Sequence, residues 1–267
     1  MPDFPPLIQA TLRSVGALAI VVLWSAARGV PLLQRDSSLR AGLLAGALFG
    51  FEFLLIYLGL SLTTASRGSI FIYTAPFFVA AGGTLFLPGE RLGPWQWLGL
   101  ALSFAGTATA VGVPQTSGDA RMLAGDAMLI AAGAAWGATT LVIKGSRLRF
   151  VPPEKTLAYQ LLVSVPILAA GAWLFGETIN AAPRPAALAW LAYQTVWVVG
   201  ITYVIWFALL KHYSASRLAA FTFLTPLFGI AAAHFILGEG IDWPFALASV
   251  LVIAGLVLVN RPRRGFV

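Results

Sequence analysis

Apolar residues run along this chain in blocks of about 20, the length a helix needs to cross the hydrocarbon of a bilayer. Nine such blocks occupy 7–27, 40–62, 67–87, 94–113, 122–144, 154–175, 186–210, 216–237 and 243–260, with short stretches of arginine, glycine and proline between them. None alternates apolar with polar positions as the strands of a membrane barrel must. Helices, which satisfy their own backbone in lipid, are therefore the elements the pattern predicts. The chain reads as an all-α polytopic membrane protein.

The blocks are also a duplication. Ala65-Ser66-Arg67 returns as Ala215-Ser216-Arg217 and Pro76 as Pro226, at a constant separation of 150 that slips to 149 between Gly89-Glu90 and Gly238-Glu239 and holds from there to Gly106 and Gly255. A first repeat over 1–114 and a second over 115–267 follow. The second opens with the span 122–144 and then Pro152-Pro153; the first has Pro5-Pro6 at a separation of 147, so its counterpart of 122–144 would precede residue 1. The expectation is a ten-helix plan of inverted five-helix repeats, with the first helix absent so that nine spans remain. Because five is odd, the two halves lie in opposite senses in the membrane, the plan of many secondary transporters. A cleaved leader over 7–27 is the rival reading, disfavoured because that segment pairs with an internal span.

Composition closes off the soluble alternatives. With 59% hydrophobic residues, 10% charged and a mean hydropathy of +0.85, the chain is far from a soluble domain, whose charged share is about 25%. It has no cysteine, hence no disulfide and no thiolate metal site. A net charge of +7 suggests nucleic acid until the basic residues are placed. Arg28, Arg35, Arg40, Arg91, Lys144, Arg147, Arg149, Lys155, Lys211, Arg217, Arg261, Arg263 and Arg264 all fall at span ends on one side, and Arg67, Arg121 and Arg184 on the other. The richer side is cytoplasmic by the positive-inside rule, with the C-terminus inside and Met1 outside. The charge holds topology and touches anionic headgroups. Membrane lipid, and not nucleic acid, is the partner it implies.

A family resemblance rests on motifs taken in order. Trp136-Gly137 and Lys144 share one span; Pro152-Pro153 precedes a polar-headed span; Ser214-Ala215-Ser216 leads to Thr225-Pro226; Gly238-Glu239 precedes a turn and a last span centred on glycine. This order resembles the EamA-type family of the drug/metabolite transporter superfamily across essentially the whole chain. The resemblance implies ten-helix carriers of bacterial inner membranes that move amino acids and other small metabolites, usually outward. It also implies a central cavity bounded by the first, third and fourth helices of each repeat.

Candidate residues then follow from cost and position. Pro76 and Pro226 each remove a helical hydrogen bond, freeing the carbonyls of Ile72 and Thr222, so paired kinks with a gating or cavity role are expected. Ser66, Ser69, Tyr73 and Phe77 share a helix face, as do Ser216, Ala220, Phe223 and Leu227 in the copy. Tyr73 and Phe223, with Phe77 and Thr222, are candidates for stacking on a substrate or shutting over it. Trp136 sits mid-span among glycines and alanines, where its indole N–H needs a partner, whereas an interfacial tryptophan belongs near a helix end. Glu52 is the one acid in mid-span, and ionisable groups there are functional hypotheses by default. It would bind a proton in a coupled cycle or meet the ammonium of a substrate, unless it pairs internally with Arg13 or Tyr57. Arg13, matched by Gln160 in the copy, is close enough to its helix start to snorkel. His234 follows Phe223 on roughly the same face, and Gln194 and Tyr203 add hydrogen-bonding capacity.

No enzyme is legible. His212 and His234 cannot form a paired-histidine metal site, no acid pair has a workable spacing, and no phosphate-binding loop is present. Neither cofactor nor metal is implied. The reading is a secondary transporter, exporter or facilitator, of small amphipathic metabolites, amino acids first, by alternating access to a midplane cavity. The alternatives are an exporter of cationic drugs and a non-transporting scaffold subunit. The last span of each repeat, carrying Gly99, Gly106 and Gly255 and little that is polar, is expected at the periphery, where a homodimer is allowed without being required.

Overall fold

The structure is a computed structural model describing residues 3–112, 119–237 and 243–261. Gly238, Glu239, Arg263 and Arg264 lie outside the described residues. Twelve α-helices are described: α1 (Pro6–Ala27), α2 (Leu39–Leu62), α3 (Ala65–Ile72), α4 (Ala75–Phe86), α5 (Pro94–Val111), α6 (Ala120–Gly145), α7 (Pro153–Leu174), α8 (Pro185–Tyr193), α9 (Tyr203–His212), α10 (Ala215–Ala220), α11 (Thr225–Leu237) and α12 (Trp243–Asn260). Eight helical stretches among the described residues are long and apolar enough to cross a membrane, α3–α4, α8–α9 and α10–α11 each counting as one. The remaining predicted span, 94–113, is α5. Its first turn holds Trp95, Gln96 and Trp97.

Local chemistry sets the boundaries. Helices α1 and α7 both begin with proline at the first helical position, where its missing N–H is no loss. Thr64 caps α3, its hydroxyl accepting from the N–H of Arg67 at 3.3 Å. The span that begins at Ala65 breaks at Tyr73-Thr74 before Pro76. Its copy loosens into a 3₁₀ turn over Phe221–Leu224 before Pro226. A third irregularity joins α8 to α9, where Gln194–Thr202 forms a π-helix.

The chain packs as two compact units, residues 1–58 with 138–213 and residues 59–137 with 214–267. Each takes elements from both repeats. In the first unit the repeat-equivalent helices α1 and α7 lie antiparallel. Leu7 and Ala10 of α1 pack on Leu168 and Ala172 of α7, and the Glu177 carboxylate just beyond α7 accepts the N–H groups of Leu7 and Ile8 at 2.9 Å, capping the positive end of α1. At the opposite end Lys155 donates to Asp36, 2.8 Å away in the loop after α1.

In the second unit α5 and α12, also repeat-equivalent, run antiparallel in a reciprocal register. A Cβ on Gly99 would lie 2.6 Å from the Gly255 carbonyl, and one on Gly106 would lie 2.8 Å from the carbonyl of Ala248. Gly99 and Ala248 are equivalents, as are Gly106 and Gly255, so each residue meets the other's counterpart. Ser103 meets its own equivalent, donating to the Val252 carbonyl at 3.4 Å. Such self-complementary contact is the mark of a two-fold axis. An axis across an antiparallel helix pair lies in the membrane plane, which is what inversion of the repeats requires.

Pairs at the helix ends agree with the sides assigned by counting spans. Within the first unit Lys144 reaches the carbonyls of Leu210 and Tyr213, and Arg184 pairs with Asp3 at 2.8 Å. Within the second, Gln96 reaches the Val259 carbonyl at 3.1 Å and Glu90 accepts the N–H of Ala215 at 3.2 Å. Each of these joins ends placed on the same side.

Candidate functional site

Two groups of side chains inside the spans cannot be explained by lipid-facing packing, one in each unit. The group in the first unit is polar. Glu52, in the middle of α2, is 5% exposed and Arg13 of α1 is 7% exposed. The guanidinium of Arg13 lies 4.6 Å from the centre of the Phe53 ring and its charge acts on the Glu52 carboxyl. Yet Glu52 Oε2 and Arg13 Nε make no hydrogen bond. Arg13 therefore does not snorkel: its side chain is buried against Phe53 of α2. Its repeat equivalent, Gln160 of α7, is fully buried with neither amide atom bonded. Two ionisable side chains and an amide thus sit in a membrane interior with unmet hydrogen-bonding capacity. Burial of that kind costs several kcal/mol (~2–7) per unsatisfied group.

Tyr203 joins the same neighbourhood, since the charges of Glu52 and Arg13 both act on its hydroxyl and its ring meets Phe49 edge-on at 5.5 Å. It stands immediately after the π-helix, a distortion found often at functional sites. Gln194 opens that π-helix, half-buried, at the end away from Tyr203. The π-helix also approaches α1 closely, for a Cβ on Gly16 would lie 2.8 Å from Thr195 Cγ2.

The group in the second unit is aromatic. Phe223 is completely buried, enclosed by the rings of Tyr73, Phe77 and Phe104 at centroid distances of 6.3, 6.4 and 6.4 Å. Its carbonyl accepts the hydroxyl of Thr107 of α5 at 3.4 Å. Thr222 turns its hydroxyl back to the Ala219 carbonyl at 2.7 Å. Pro76 is buried and Pro226 half-buried, each at the point where its span is interrupted. Trp136 is half-buried at mid-α6, beside Gly137, whose Cβ position would lie 2.7 Å from Phe78 Cβ. His234 lies further along α11 with its ring against Phe235 at 5.1 Å.

Sequence reasoning missed two contacts. Phe104 completes the aromatic cluster from α5. Asp126 of α6 makes a buried ion pair with Arg67 of α3, both carboxylate oxygens lying 3.1–3.2 Å from Arg67 Nε, and Thr63 donates to the same carboxylate at 2.8 Å. The polar pair Arg13 and Gln160 was legible as a match between repeats, the signal that one structural place is polar in both copies. Outside the spans, the hydrogen bonds of Lys155 and Ser38 hold the Asp36 carboxyl down to about 2, and those of Arg184 do the same for Asp3. Among the described residues no three His, Asp or Glu side chains gather where a metal could be held.

An all-helical, multi-pass chain built from inverted repeats, with buried charges inside its spans, is a membrane transport protein by architecture. The comparisons give the family: residues 1–112 and 123–261 match the EamA-like transporter family, to which the chain belongs. An uncharacterized transporter of Archaeoglobus fulgidus is 30% identical over 215 residues, spanning 80% of this chain and 71% of that protein. A probable amino-acid metabolite efflux pump of Escherichia coli is 27% identical, over 96% of this chain and 86% of its own. The fold is that of a crystal structure matched with a TM-score of 0.82 at 22% identity, over 96% of this chain and 88% of the other.

Proposed function

We propose that the protein is a secondary carrier of small amphipathic metabolites, amino acids first, in a bacterial inner membrane. The observation that supports it is a donor, Arg13 Nε, and an acceptor, Glu52 Oε2, both buried and both left without a hydrogen bond. A zwitterion offers the complement, a carboxylate for Arg13 and an ammonium for Glu52. Charge-assisted hydrogen bonds of this kind are roughly twice as strong as neutral ones. A simple cation would gain at Glu52 and lose at Arg13, which weighs against the cationic-drug alternative. The efflux-pump name of the Escherichia coli relative points the same way.

Movement is assigned to the interrupted spans α3–α4 and α10–α11. Their breaks at Pro76 and Pro226 are the places where a helix bends at least cost, and Phe223 is enclosed between them. Counterflow with pure protein in liposomes tests the reading: labelled amino acids accumulate against unlabelled ones, and both Glu52→Gln and Arg13→Gln abolish accumulation. Accumulation of cationic dyes alone would favour the multidrug reading, and no flux without an added partner would favour a scaffold subunit.

A further inference from the structure

A second ligand place lies away from these groups, at the basic end of the first unit. A hollow of about 480 Å³ opens between the start of α2 and the segment after α6, lined by Ser37, Arg40 and Ala41 on one wall and by Arg147, Arg149 and Phe150 on the other. Three guanidinium-bearing residues line it and no acidic residue does. The nearest acid in sequence, Asp36, is already occupied by Lys155 and by Ser38, whose N–H donates at 3.1 Å. Apolar surface continues from the hollow along the lipid-facing side of α2, where Leu39, Leu43 and Leu44 are 56%, 45% and 51% exposed, and on the other wall Phe150 is 67% exposed.

We infer that this hollow binds the headgroup phosphate of an anionic phospholipid of the cytosolic leaflet. Arginine is suited to phosphate because its planar fork donates two parallel hydrogen bonds to one oxyanion. The hollow stands where α2 enters and α6 leaves the bilayer, on the side richer in basic residues, and basic pockets between spans at that level hold anionic headgroups. The leucine row along α2 gives the acyl chains a path, which a free phosphate would not use. The lipid seated there ties the loop before α2 to the segment after α6.

The test is native mass spectrometry of the full chain, released from nanodiscs holding equal parts phosphatidylglycerol and phosphatidylethanolamine. The wild type retains phosphatidylglycerol, and Arg40→Gln/Arg147→Gln/Arg149→Gln lowers that retention on the order of tenfold or more. Arg28→Gln/Arg91→Gln/Arg261→Gln, with the same loss of charge at other positions of that side, keeps it. Arg40→Lys/Arg147→Lys/Arg149→Lys keeps the charge and loses the fork, so an intermediate retention supports phosphate geometry should the glutamine variant not fold. Equal retention in all variants, equal loss in the control, or displacement of the lipid by millimolar inorganic phosphate overturns the proposal.

Discussion

Tyr73 and Phe223 hold the same position in the two repeats, and their rings lie 6.3 Å apart. Equivalent residues can touch each other only near the axis that relates them. With Ser103 and Val252 meeting in the same way, the two contacts mark where the two-fold passes through the second unit. Both interrupted spans and both final spans cross at that axis, so any bending at Pro76 has a counterpart at Pro226.

The closest backbone approach in that unit makes a stability prediction. A Cβ on Gly255 would lie 2.2 Å from Ser103 Oγ and 2.5 Å from the Gly99 carbonyl, whereas one on Gly229 would meet nothing within 4 Å. Gly255→Val lowers stability by about 1–3 kcal/mol, the usual cost of overpacking, and Gly229→Ala leaves it unchanged. Thermal unfolding of the detergent-solubilised variants checks both.

The Arg67 and Asp126 pair predicts a different pattern. Their side chains are 8% and 6% exposed, so removing one partner leaves the other charge covered and unpaired. Asp126→Leu alone is severely destabilising, and Arg67→Met/Asp126→Leu recovers most of the loss. A double variant as unstable as the single one would mean the pair does more than cancel charge.

Asp36 predicts a pH dependence. Its carboxyl falls from an ordinary 3.8 to about 2 through Lys155 and Ser38, so the folded state favours the charged form. That contribution is complete above about pH 4 and is lost as pH falls through 2. Asp36→Asn should therefore unfold at a lower temperature than the wild type at pH 7, and the difference should close between pH 4 and pH 2. A gap that persists at pH 2 would place the effect of the substitution elsewhere.

Two substitutions separate function from packing. Glu52→Gln keeps the shape of the side chain while removing its charge, and Trp136→Ala removes the central indole. Each should lower transport per folded molecule by tenfold or more, about 1.4 kcal/mol, with folded yield changed far less. Loss of yield at constant specific transport would return both residues to structural roles.

Much of this architecture was legible because a duplication repeats its landmarks. The paired interruptions at Pro76 and Pro226 read directly from the chain, whereas the glycines of the last spans, expected at the periphery, instead close α5 on α12. What did not read was anything depending on which helix lies beside which. Arg13 lies about two turns from its helix start and looks free to snorkel, yet it is buried against Phe53 of α2. Asp126 looks like an end cap until α3 brings Arg67 to it. The π-helix over Gln194–Thr202 has no composition of its own, since an extra residue per turn leaves an apolar run looking like any other.

Inversion of the two repeats is the claim on which the two-fold and the paired breaks rest. The chain has no cysteine, so single cysteines at Thr64 and Tyr213, exposed residues at the same boundary of the two repeats, can be probed with an impermeant maleimide in intact cells and in inverted vesicles. The account predicts that Thr64→Cys reacts only from outside and Tyr213→Cys only from inside; reaction of both from one face would contradict it.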